Sequence, residues 1–99
     1  LVDDMIDTGG TIVKAAQALK ANGAHRVIVA ATHAIFSDPA SERLQDDSID
    51  EVVITDTIPL SASRQWDSLT ILPIAPLLAT GIRQVFEDGS VTSMFGGDA

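Results

Sequence analysis

Apolar residues at Ile12, Ala15, Ala16 and Leu19 recur every three or four positions between Thr11 and Asn22, the period of a helix with one buried face. Gly23 stands where a C-terminal cap glycine belongs. The run at residues 27–31, Val-Ile-Val-Ala-Ala, has no alternation and reads as a strand buried on both faces of a parallel sheet. Asp38 and Pro39 suit an N-cap followed by a first-turn proline, which opens a short helix to about Leu44. Residues 52–55 and 69–72 read as further strands, and Pro76 can begin a helix to about Phe86 with Leu78, Ile82 and Phe86 on one face. Gly89 would end that helix, and residues 91–95 would add a short terminal strand. Leu1 to Asp3 look like the last residues of a strand, so the chain is expected to be part of a longer protein. The largely alternating order predicts an α/β fold, a mainly parallel sheet with helices against its faces. In such sheets ligands gather at the carboxyl ends of the strands.

Composition narrows the partners. Ninety-nine residues suit one domain or part of one, and 45% hydrophobic content is ordinary for a globular chain. A net charge of −8, with six basic residues scattered along the chain, argues against a nucleic-acid partner, which would need a cluster of lysine and arginine. No stretch approaches the roughly 20 apolar residues of a membrane span. There is no cysteine, hence no disulfide framework and no thiolate metal site, which suits a cytoplasmic location.

The chemistry concentrates in the first eleven residues, Leu-Val-Asp-Asp-Met-Ile-Asp-Thr-Gly-Gly-Thr. Glycines allow a tight turn and close approach to an anion, and a following helix directs free N–H groups at it. The carboxylates would repel a bare phosphate, so their role here is to accept hydrogen bonds from sugar hydroxyls. A site of that kind fits a phosphorylated pentose or a nucleotide sugar. The same spacing also suits an acidic strand-to-helix turn without a ligand.

These residues resemble the ribose-phosphate binding motif of ribose-phosphate diphosphokinases, also called phosphoribosyl pyrophosphate synthetases. Ala-Thr-His at residues 31–33 with Phe36 and Ser37, the run Ile-Asp-Glu-Val-Val-Ile-Thr-Asp-Thr-Ile-Pro-Leu at 49–60, and Ser-Val-Thr-Ser-Met-Phe at 90–95 extend the resemblance over nearly the whole chain. Nucleobase phosphoribosyltransferases share the opening motif in looser form; the run at 49–60 favours the synthetases. The resemblance implies that residues 1–99 are a partial C-terminal domain of type I phosphoribosyltransferase-like fold, truncated at its N-terminus. It implies that Asp3 and Asp4 hold the ribose hydroxyls, that Asp7 orients the anomeric carbon, and that Thr8, Gly9, Gly10 and Thr11 hold the 5-phosphate. The implied reaction moves diphosphate from ATP to the anomeric hydroxyl of ribose 5-phosphate and releases AMP. The ATP pocket, the basic loop and the magnesium ligands would lie upstream, so no catalytic residue is assigned to this chain and it is expected to be inactive alone. The family forms multimers, which implies a homo-oligomer. Ser90, Thr92 and Phe95 match a regulatory phosphate or ADP site, although Thr92 replaces a common serine. Asp38 stands where many members carry glycine or asparagine, which weakens an anion site there. A nucleobase transferase and a non-catalytic regulatory homologue are the alternatives.

Other residues read more plainly. His33 is expected to be partly buried and hydrogen-bonded to backbone, and His25 exposed in a turn. Neither has a second histidine or a carboxylate at metal-ligand spacing, so no metal site is expected in the chain. Trp66 falls in the least legible stretch, 61–68, as a packing or loop residue.

Overall fold

The computed structural model describes residues 1–96. It has four strands, β1 (Val2–Ile6), β2 (Ile28–Ala34), β3 (Glu51–Thr55) and β4 (Leu69–Leu72). The helices are α1 (Gly10–Ala21), α2 (Ala40–Arg43) and α3 (Ala75–Phe86), with 3-10 turns at Ala62–Arg64 and Thr92–Phe95. The strands form one sheet in the order β1-β2-β3-β4, and every neighbouring pair is parallel. The α/β architecture with a parallel sheet is therefore as expected.

The order of the strands decides where the core lies. Each strand pairs with the next in sequence, and parallel crossovers share one hand, so the connections fall on one side of the sheet. On that side Val29, Ala31, Val52 and Ile54 are buried against Ala16, Phe36, Ala40 and Leu44. The other face carries Ile28 and Leu72, 41% and 50% exposed, and Leu72 lines a shallow concavity with Ala30, Thr32, Val53 and Thr55. The expectation of strands buried on both faces, with helices against both, is thus corrected for the described residues. An unbroken apolar run shows that a strand avoids water but does not say which segment covers each face.

Local chemistry sets the helix ends. After α1, Asn22 is the C-cap and Gly23 takes φ +100°; Ala24 N–H donates to Leu19 O at 3.0 Å and Gly23 N–H to Lys20 O at 3.1 Å. That is the glycine-ended motif expected from the sequence. After α3 the left-handed position falls on Asp88 (φ +54°), and Gly89, one residue later, donates to Gln84 O at 2.7 Å. Asp38 is not a cap: Pro39 precedes the first helical residue, α2 makes no side-chain cap bond, and Asp38 faces Arg64 at 3.4 Å. Residues 91–95 do not form a strand; a 3-10 turn occupies Thr92–Phe95, held by Ser93 Oγ donating to Ser90 O at 2.7 Å. The local hydroxyl–backbone bonds of the serines close this turn in place of strand pairing.

α3 has the apolar face expected from its spacing, but that face is not on the sheet. Leu78, Ile82 and Phe86 are 57%, 70% and 89% exposed, and with Val91 and Phe95 they line a groove of about 570 Å³. Trp66 packs on the buried Phe36, with ring centroids 6.0 Å apart, and donates from Nε1 to Ser68 Oγ. Among the described residues no helix is long and apolar enough to cross a membrane.

Asp50 ties three elements together at the foot of the sheet. Its carboxylate accepts from Val27 N–H at 2.8 Å and meets Lys20 Nζ, from α1, at 2.9 Å, while its own N–H donates to Val27 O. The Lys20 hydrogen bond, then the Val27 N–H, hold the Asp50 carboxyl below its ordinary range. A carboxyl whose pKa falls on folding stabilises the fold above its unfolded value, about 4, and that contribution is lost as pH falls through the folded-state value. Asp50→Asn is therefore expected to lower the melting temperature at pH 7, with the gap to wild type closing as pH drops below about 4. A gap that does not change with pH would contradict this.

Candidate functional site

β1 ends at Ile6, and residues 7–9 turn the chain into α1. Asp3 and Asp4, expected at the strand's end, lie inside it; Asp3 is opposite Ala31 and Met5 opposite His33. The turn depends on Gly9, which has φ +79°, is buried, and serves as the N-cap of α1. A β-carbon there would meet Leu44 at an ordinary 3.5 Å, so the backbone and not the space calls for glycine. Gly9 O accepts from Val13 N–H at 3.0 Å, the first turn of the helix. No side chain caps that end. The amides of Gly10, Thr11 and Ile12 therefore lack intrahelical partners and face outward, the arrangement that binds anions.

Two concavities flank this turn. One, about 170 Å³, is lined by Asp3 and Asp7 together with Thr8, Gly9, Gly10 and Thr11. The structure thus brings together six of the seven residues expected for a sugar phosphate. Asp4 is not part of this lining, because neighbouring strand residues point to opposite faces. Asp3 is also held locally, accepting from Asp4 N–H at 2.8 Å. The second concavity, about 470 Å³, lies against Thr8, Gly10 and Thr11 with Lys14, Gln17 and Arg43. Arg43, from α2, donates to Thr8 O at 3.3 Å. Sequence reading missed Arg43; its position 33 residues after Gly10 gives no local signal.

His33 at the end of β2 bonds to a side chain, not to backbone as expected: Nδ1 lies 2.8 Å from Thr57 Oγ1. Thr55 and Thr57 both donate to Thr32 O, at 2.7 and 3.3 Å. Asp56, between the threonines, accepts from Ile74 N–H at 2.8 Å and so anchors the approach to α3. Among the described residues no three potential metal-ligating side chains converge. Ser90 and Thr92 belong to the turn after α3, and Phe95 lines the apolar groove there; none lines the concavities beside the Gly9 turn.

The family model for the phosphoribosyl synthetase-associated domain matches residues 1–96. The chain belongs to that family. Family relatives agree with it closely: the ribose-phosphate pyrophosphokinase of Corynebacterium efficiens is 58% identical over 99 residues, all of this chain and 30% of that protein. That of Streptomyces avermitilis is 57% identical over 96% of this chain and 29% of that protein. A crystal structure of phosphoribosylpyrophosphate synthetase from Mycobacterium smegmatis is 53% identical and superposes with a TM-score of 0.83, over 90% of this chain and 30% of that one. The chain thus spans about 30% of the length of the family relatives it matches.

The two glycines of the turn should respond differently to a methyl group. Gly9→Ala forces a left-handed alanine and is expected to destabilise the fold by about 1–2 kcal/mol. Gly10→Ala puts a β-carbon 3.2 Å from Arg43 Nη1, the end of a flexible side chain, at a helical position where alanine is favoured. It should leave stability unchanged or higher. Urea denaturation of both variants checks the contrast, and equal losses would contradict it.

Proposed function

We propose that this chain is the ribose 5-phosphate-binding part of a ribose-phosphate diphosphokinase, with a type I phosphoribosyltransferase-like fold. The observation that carries the reading is the Gly9 turn, which sets uncapped α1 amides and the carboxylates of Asp3 and Asp7 around one concavity. The names of the relatives support the same reading.

In this reading the 5-phosphate lies on Thr8, Gly9, Gly10 and Thr11, where backbone N–H groups and hydroxyls donate to its oxygens. Asp3 and Asp7 accept from sugar hydroxyls. Asp4, on the other side of β1, reaches the sugar over the outer edge of that strand. β1 pairs only with β2 among the described residues, so a ligand can lie along that edge. The anomeric oxygen attacks the β-phosphorus of ATP, the bond to the α-phosphate oxygen breaks, and AMP leaves. Positioning and charge neutralisation dominate such transfers. ATP and magnesium would be held by the remainder of the parent protein, and the metal would supply neutralisation of the phosphate charge. The chain alone is inactive under this proposal, for want of the groups that stabilise the transferring phosphoryl. The parent acts in nucleotide biosynthesis, as a cytoplasmic homo-oligomer, with Ser90, Thr92 and Phe95 at a regulatory site.

The test uses the complete protein with ATP, magnesium and ribose 5-phosphate and no nucleobase. AMP formed in step with phosphoribosyl pyrophosphate is the expected result. A folded protein that forms no AMP, or that releases diphosphate only when a nucleobase and the activated sugar are supplied, would overturn the proposal in favour of a transferase.

A further inference from the structure

The chain has six basic side chains against fourteen acidic ones. Among the described residues, ion pairs take up four of the six: Lys20 with Asp50, Arg26 with Glu51, Arg64 with Asp38 and Arg83 with Glu87. The other two, Lys14 and Arg43, both line the concavity against Thr8, Gly10 and Thr11. They come from different elements, α1 and α2, so helix periodicity alone does not bring them together. Arg43 is also bonded to the turn itself, through Thr8 O, and its guanidinium comes so near Gly10 that a β-carbon there would sit 3.2 Å from Nη1.

We propose that Arg43 is the positioning residue that makes this site select a phosphorylated sugar, with Lys14 as a second cation on the same wall. The inference rests on the proposed ribose 5-phosphate site and deepens it. Three nearby carboxylates, Asp3, Asp4 and Asp7, would repel a dianionic phosphate. Helix amides carry only partial charge, about half an elementary charge at a helix N-terminus. A full positive charge at the turn offsets that repulsion. By holding the Thr8 carbonyl, Arg43 also fixes the orientation of the peptide unit that leads into Gly9, so the amides that follow are aimed before the ligand arrives. Its planar fork suits both tasks, since one N–H can hold the carbonyl while others face the phosphate.

The test uses the complete protein, with ribose 5-phosphate and ATP each varied in the AMP-forming assay. Arg43→Gln is expected to raise KM for ribose 5-phosphate about tenfold while KM for ATP stays within about twofold of wild type. Arg43→Lys, which keeps the charge without the fork, should fall between the two, and Lys14→Gln should raise the same KM by a smaller factor. A ribose 5-phosphate KM within about twofold of wild type in both Arg43 variants, or an equal rise in KM for ATP, overturns the assignment while leaving the sugar-phosphate site in place. A wild-type protein that makes no AMP from ribose 5-phosphate overturns the proposed function itself, and the role of Arg43 with it.

Discussion

The left-handed turn at Gly9 is the constraint on which the site depends. It converts the direction of β1 into that of α1 within three residues, and it does so while packed against Leu44 and Ala40. That contact joins the turn to the core, because Leu44 and Ala40 are both fully buried beneath the sheet. Core packing thus fixes the position of the backbone, and the backbone fixes the position of the free helix amides. A side chain at Gly9 would force the turn into a conformation that L-residues avoid, and the amides would lose their aim.

Charge is arranged around that turn with little redundancy. Asp3 and Asp7, from β1 and the turn, line the smaller concavity beside it, which in the proposed function is where the sugar hydroxyls lie. Most of the basic side chains are engaged in ion pairs, at the foot of the sheet, between Asp38 and Arg64, and at the end of α3. Lys14 and Arg43 remain beside the α1 N-terminus, in the concavity on one side of the turn, while Asp3 and Asp7 line the concavity on the other. The family to which the chain belongs, and the names of its relatives, accord with that chemistry.

Much of this was legible in the sequence, and the exceptions share one physical cause. α1 and its glycine cap, the strand at Leu69–Leu72 and the end of α3 followed from period and local turn chemistry. The motif from Asp3 to Thr11 was equally legible, since its glycines and hydroxyls are contiguous. What sequence could not supply was tertiary pairing. It placed helices on both faces of the sheet, whereas the consecutive strand order puts the connecting α1 and α2 on one. It gave Asp38 to a helix cap, whereas Arg64, 26 residues later, faces it as an ion-pair partner. It gave His33 a backbone partner, whereas Thr57 reaches it across the sheet. Arg43 was overlooked for the same reason: its partner, Thr8 O, lies 35 residues away.

The most direct test of the account is to follow backbone amides of the 15N-labelled protein while ribose 5-phosphate is added. Gly9, Gly10 and Thr11 should shift and saturate together, and unphosphorylated ribose at the same concentrations should leave them in place. A folded spectrum in which those three amides stay still, or move equally with ribose, would contradict a preformed phosphate cradle at the head of α1.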